Sequence, residues 1–291
     1  MGRRIRQFGK RAGFTIIELL TVMSVIIILI GLLVPALNKV KWVAYKVNQK
    51  NQFHAIEVAM NLFNLEHEEY PPSSAADDGG APYCGAMKLC EAMVGRDLLG
   101  FHPQSRFFAD GTDGSGTQLY PAEGSVPDDV YKENLKAREG PYLKLSQVNT
   151  YRLGDLYSFT GPYDGDQFVL CDVYTRVESK STGKQVGMPV LYFRANVSNT
   201  LHEYSAVNNS ANIYNVDDNL DLARLGMPWM SAPPAGPQHQ LAITPEKFYE
   251  ETQNTKITTS VRPHRPDSYI LLSAGFDGEY GTPDDIYNFG M

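Results

Sequence analysis

The sequence predicts an α+β protein in which one long N-terminal helix, half membrane-spanning and half amphipathic, packs on an antiparallel sheet ahead of an acidic C-terminal loop. Three observations predict it. From Leu19 to Leu37 the chain carries no charge, and only Thr21 and Ser24 are polar. Beyond Leu37 apolar residues keep recurring at three- and four-residue steps until Tyr70-Pro71-Pro72. From Tyr142 onward short β-rich runs replace the helical period.

The apolar run comes first. About 19–20 apolar residues rising 1.5 Å each match a hydrocarbon core of ~30 Å. Residues 1–13 hold Arg3, Arg4, Arg6, Lys10 and Arg11 and no acid, which predicts a cytoplasmic N-terminus with the rest of the chain across the membrane. Glu18 is the anomaly, because a carboxylate at a helix centre costs ~2.5–3.5 kcal/mol on insertion scales, and less near the interface. Were the chain cut between Gly13 and Phe14, a new amine would stand one helical turn before Glu18. It could neutralise the same carboxylate on a neighbouring copy where packed helices exclude water.

Two simpler readings compete. A secretory signal peptide fits the basic start, with Val34-Pro35-Ala36 as a small-x-small cleavage site. The apolar run is longer than the ~7–15 residues such peptides use, and Glu18 is foreign to them. A plain membrane anchor explains the hydrophobicity but not Gly13, Phe14 and Glu18 together.

The amphipathic half follows without a break. Val40, Val43, Val47, Ile56, Ala59, Met60 and Phe63 recur at mostly helical steps, with Lys39, Lys41, Lys46, Lys50 and Glu57 between them. The double proline at 71–72 ends the pattern. A helix of about 57 residues would reach ~85 Å, more than a soluble domain needs. Inside it, Pro35 removes the bond to the Gly31 carbonyl, which predicts a kink or local melting there.

Basic leader, Gly13, Phe14, three residues, Glu18 and an apolar helix resemble the signature of type IV pilins and type II secretion pseudopilins. The resemblance covers roughly the first 60 residues. It implies that a prepilin peptidase cuts after Gly13 and methylates Phe14. It implies that Glu18 and Pro35 serve filament assembly, Pro35 marking a segment that loosens on assembly. The implied location is the inner membrane, single-pass, with the N-terminus cytoplasmic and the head periplasmic, followed by a periplasmic pseudopilus or surface filament. The implied partners are the peptidase, identical and related pilin subunits, and an inner-membrane assembly platform. The chain then divides into a leader (1–13), a membrane and filament-core helix (14–37), its amphipathic continuation (38–70) and a head (71–291).

Composition is ordinary for a globular head, with 43% hydrophobic and 20% charged residues. The formal charge is −7, and because the leader carries five positive charges the remainder carries −12. That balance argues against nucleic acid as a partner and suits cation binding. Cys84 and Cys90 flank a short segment; an oxidising exterior would let them bridge, and the alternative is two free thiols in a small helix. Cys171 reads as a buried small hydrophobe.

In the head, residues 71–82 read as loop. Residues 84–99 read as a helix with Met87, Cys90, Met93, Val94 and Leu98 on its core face. Residues 109–128 read as a surface loop whose Asp110 and Asp113 lack EF-hand spacing. Strands are predicted at 157–160, 167–176, 189–196 and 268–273, with Ser181-Thr182-Gly183-Lys184 as the turn between the second and third. Residues 204–240 read as an irregular excursion. Thr244-Pro245 opens a short helix.

The second chemical signal lies at 273–288, Ser-Ala-Gly-Phe-Asp-Gly-Glu-Tyr-Gly-Thr-Pro-Asp-Asp-Ile-Tyr-Asn. Asp277, Glu279, Asp284 and Asp285 are separated by Gly278, Gly281 and Pro283, so the loop turns sharply and gathers acids that repel one another. A calcium ion, taking six to eight oxygens at ~2.3–2.6 Å, would remove that conflict. The alternative is a solvated turn whose aspartates cap nearby backbone. The stretch resembles the C-terminal calcium loop of the major pseudopilin. That resemblance implies Ca2+ on Asp277, Asp284 and Asp285, with Glu279 a less certain ligand and carbonyls around 272–279 completing the shell. The middle, from Cys84 to about Gln240, has no counterpart in that family.

No catalytic set emerges. The six histidines are scattered without a His-Glu-x-x-His pair, and neither a Gly-x-Ser-x-Gly elbow nor a phosphate-cradling Gly-rich loop is present. The expected function is a structural filament subunit and not an enzyme. The alternatives are a pilin-like subunit whose enlarged head binds a surface, DNA or sugar, and a membrane-tethered enzyme using residues 1–37 as an anchor.

Overall fold

In a computed structural model, which describes Gly13, residues 15–230 and residues 236–290, the chain forms two units, residues 1–44 and 45–291. Phe14 and leader residues 1–12 lie outside the described residues. The first unit is helical from Ile16, as the start of α1 (Ile16–His67). Every described residue of it is exposed, including Ile16, Ile17, Leu20, Ile27 and Leu32. This helix is long and apolar enough to cross a membrane. The backbone stays helical through Gly31 and Pro35.

In the second unit, α1 buries Gln49, Gln52, Phe53, Ile56, Ala59, Met60 and Phe63. That stripe starts later than the valine pattern suggests, since Val43 and Val47 are about half exposed. The two glutamines replace them because they meet backbone: Gln52 Nε2 donates to the Cys171 carbonyl (2.8 Å), and Gln49 Oε1 accepts from the Val173 amide (2.9 Å). Glu68, at φ 62°, ends the helix before the double proline is reached.

The remaining elements are α2 (Gly85–Val94), α3 (Asp128–Ala137), β1 (Asn149–Arg152), α4 (Leu153–Leu156), β2 (Phe168–Cys171), β3 (Val177–Glu178), β4 (Gln185–Val186), β5 (Leu191–Arg194), α5 (Asp217–Arg224), α6 (Gln240–Ile243), α7 (Glu246–Thr252), β6 (Tyr269–Ser273) and β7 (Ile286–Tyr287). Among the described residues these strands pair antiparallel: β1 with β2, β3 with β4, and β5 with β6 with β7. A bridge from Cys171 to Pro189 links β2 to the start of β5. The expected turn at 181–184 closes the short β3–β4 hairpin between them.

Several expectations need correction. Residues 157–160 are not a strand: the Tyr157 amide closes α4 on the Leu153 carbonyl, and the Thr160 hydroxyl bonds the Tyr163 carbonyl in a turn. The excursion at 204–240 contains α5, which Asn219 docks by accepting from the Ala86 amide (2.9 Å) and donating to the Tyr192 carbonyl (2.6 Å). All three cysteines are free and buried. Cys84 precedes α2 and Cys90 lies within it; six residues along a helix turn side chains about 120° apart, which leaves no bridge geometry.

Candidate functional site

Two places hold the candidate residues named from the sequence. At the start of α1, Glu18 Oε2 accepts from the Thr15 amide (2.9 Å) and hydroxyl (2.7 Å), and the Glu18 amide reaches back to Thr15 Oγ1 (3.3 Å). This is a capping box, in which cap residue and third-position acid satisfy one another's orphan donors. Thr15 went unread in the sequence although Thr-x-x-Glu is its signal. Gly13 is exposed beside it.

The acidic loop springs from β6 and returns through β7. Its turn depends on Gly275 at φ 68°, where a Cβ would sit 2.3 Å from the Asp284 carbonyl oxygen. Asp277 and Asp284 are brought together. The Asp277 amide donates to Asp284 Oδ2 (3.0 Å), and the Thr282 hydroxyl lies 3.0 Å from Asp277 Oδ2 and 2.6 Å from Asp284 Oδ1. Burial, then the Asp284 carboxylate, push Asp277 up to about 6. Burial works the same way on Asp284, but the bonds from Thr282 and the Asp277 amide outweigh it and leave that group below its ordinary value.

Asp285 turns elsewhere. Its Oδ2 accepts from the Gly281 amide (2.7 Å), while Oδ1 is buried with no hydrogen-bond partner. Burial pushes its pKa far above the usual carboxylate range, and the Glu251 and Asp284 charges add to this. The three aspartates do not bring one oxygen each within 4.8 Å of one another. Asp277 Oδ1 also caps the Glu279 amide (2.8 Å), so part of the loop behaves as the self-capped turn that the sequence left open. Glu279 contributes its carbonyl to Thr282 and makes no side-chain hydrogen bond or ion pair among the described residues.

The supports of this loop were not foreseen. Asp172, fully buried after β2, accepts from the Ser273 hydroxyl (2.8 Å) and from the Tyr174 and Met188 amides (both 3.1 Å). Burial raises it to about 7 against those bonds. Beside it, the Tyr280 amide donates to His239 Nδ1 and the Leu241 amide donates to the Tyr280 carbonyl (2.9 Å). Ser273 lies far from Asp172 along the chain, and Tyr280 far from His239, so no local pattern announces these contacts.

A third group unites Glu66 and His67, at the end of α1, with Glu139 after α3. The chain matches no family model, no curated protein and no solved structure.

Proposed function

We propose that this chain is a structural subunit of a type II secretion pseudopilus or a related type IV pilus-like filament. A prepilin peptidase cuts after Gly13 and methylates Phe14, and the processed helix joins other pilin subunits through an inner-membrane assembly platform. The N-terminus starts in the cytoplasm and the head lies in the periplasm.

The observation that carries this reading is Glu18. Over residues 16–37 it is the single charge on an exposed helix face of Ile, Leu and Val that no described residue covers. A membrane anchor needs that carboxylate only as a helix cap, whereas a bundle of copies supplies an amine for its charge. The measurement is the mass of the mature N-terminal residue, with N-methyl-Phe14 expected. A protein retaining its arginine-rich leader, or beginning after Ala36, sinks the proposal.

Calcium belongs to the same reading. The crowded Asp277–Asp284 pair and the orphaned Asp285 Oδ1 supply donors for a cation: Asp277 and Asp284 would hold it directly, Asp285 would join by turning its carboxylate toward them, and Glu279 is the weaker candidate. The ion would neutralise the loop and brace the sheet end.

A second reading, a pilin-like binding subunit with an enlarged head, draws on one observation. A groove of about 500 Å³ is lined by Ser73, Arg194, Asn196, Ser198, Asn212 and Asp218. Hydroxyls and amides at this density suit a hydroxylated ligand such as a sugar. Head substitutions that spare assembly yet abolish adhesion favour this reading over the first.

A further inference from the structure

The end of α1 is built around one imidazole. His67 lies against Phe63 (ring centroids 4.3 Å apart) and edge-on to Phe101 (5.2 Å). That packing directs Nε2 at Glu139 Oε2, 3.1 Å away, and at the Tyr142 hydroxyl, 3.2 Å away. The Tyr142 hydroxyl in turn contacts Glu139 Oε2 (3.1 Å) and Glu66 Oε2. Glu139 stands on rigid backbone, because its amide and carbonyl both pair with Phe101, at 2.8 and 2.9 Å. One ligand atom from each of Glu66, His67 and Glu139 falls within 4.8 Å of the others.

Two features separate this cluster from a satisfied hydrogen-bond network. First, the protons are too few. Four contacts join His67 Nε2, the Tyr142 hydroxyl and the two carboxylates, and these groups bring only one ring hydrogen and one hydroxyl hydrogen with a neutral imidazole. Second, the charge is unbalanced. The ion pairs of the described residues give Glu139 only His67 and give Glu66 none, so two carboxylates face one imidazole. One divalent ion balances the charge and replaces the His67–Glu139 hydrogen bond with metal–ligand bonds.

We infer that Glu66, His67 and Glu139 form a transition-metal site for Zn2+, clamping the end of α1 to the segment after α3. Imidazole with carboxylate is a donor set that zinc accepts at ~2.0–2.2 Å and that calcium, which takes oxygen ligands, does not favour. Ligands around a tetrahedral zinc stand about 3.3 Å apart. The 3.1 Å from His67 Nε2 to Glu139 Oε2 fits one such edge. Tyr142 stays outside the ligand shell and donates its one hydroxyl hydrogen to a ligating carboxylate, orienting it. The site involves neither Glu18 nor the acidic loop, so it stands or falls apart from the filament reading.

The test titrates Zn2+ into the full-length chain in detergent micelles, stripped of metal beforehand. One ion per chain is expected, with His67→Ala or Glu139→Gln weakening binding by more than about tenfold and Tyr142→Phe by about tenfold. Asp284→Asn, which alters the acidic loop, leaves zinc affinity unchanged. Should a variant fold poorly, Co2+ added to the unaltered chain reads the site directly: visible d–d bands of a four- or five-coordinate ion, without thiolate charge-transfer absorption, support the assignment. Zinc uptake that survives His67→Ala, or disappears in Asp284→Asn, overturns it. So does a cobalt spectrum no different from the aqueous ion.

Discussion

The Tyr280 amide donates to His239 Nδ1 across 3.2 Å, in the middle of the acidic loop. Because Nδ1 accepts, the ring proton must reside on Nε2, which donates to the Gly226 carbonyl at 3.1 Å. The imidazole is fully buried and neutral, and burial pushes its pKa down to about 3. The unfolded chain therefore binds a proton near pH 6.5 that the folded chain refuses until far lower pH. Stability contributed by this residue is complete above pH 6.5 and is lost progressively as pH falls from there toward 3. His239→Ala should cost about 2–4 kcal/mol at pH 7.5, from a cavity and two unpaired backbone groups. It should also flatten the acid limb of a denaturant-midpoint profile. An unchanged acid limb would remove His239 as its source.

Asp172 gives a dependence of opposite sign. Its folded pKa of about 7 exceeds the ordinary carboxylate value, so between about pH 4 and 7 the folded state holds a proton that the unfolded state releases. Its contribution to stability is greatest below pH 4 and falls as pH rises to 7. Asp172→Asn keeps an acceptor for the Tyr174 and Met188 amides while removing the titration; the change should stay within about 1 kcal/mol and erase this slope. Asp172→Ala strands three donors in a dry site and should cost about 2–4 kcal/mol. Paired urea titrations at pH 5 and 8 distinguish the two variants.

These two residues mark the limit of what the sequence discloses. Helix α1 was legible because its period runs unbroken, and β6 because an apolar run sits between turn residues. The approach of Asp277 to Asp284 was legible because glycines and a proline force the loop to fold back. Asp172, His239 and Asn219 carry no local pattern: their partners Ser273, Tyr280 and Ala86 lie 101, 41 and 133 positions away, and only the tertiary fold brings them together. Strand β1 escaped because Asn149–Arg152 has no apolar alternation. Residues 157–160 misled because β-prone side chains there serve a turn. The Thr15–Glu18 capping box is fully local, and its Thr-x-x-Glu signal stands in the sequence.

Chelation should lower the melting temperature of the full-length chain in micelles by several degrees, and added Ca2+ should raise it as RT ln(1 + [L]/Kd) predicts. Gly275→Ala is the sharper probe of the loop. A side chain at φ 68° whose Cβ falls 2.3 Å from the Asp284 carbonyl forces that segment apart. The calcium-dependent part of the melting shift should vanish in the variant, measured by calorimetry with and without chelator. A shift preserved in Gly275→Ala places calcium elsewhere in the chain.

Glu18 has two candidate duties, and they can be separated. As the third-position acid of a capping box it needs only an acceptor oxygen, which glutamine also provides. As the partner of a neighbouring subunit's amine it needs its charge. Glu18→Gln should therefore preserve the helix start, membrane insertion and leader cleavage, yet lose incorporation into filaments in a sheared-filament assay. Thr15→Val does the reverse: it removes the hydroxyl of the box, costing about 0.5–1 kcal/mol at the helix terminus, and leaves the carboxylate charged. Filaments should form from it. If Glu18→Gln assembles as well as the unaltered chain, the acid is a cap, and the charge argument for the filament loses its footing.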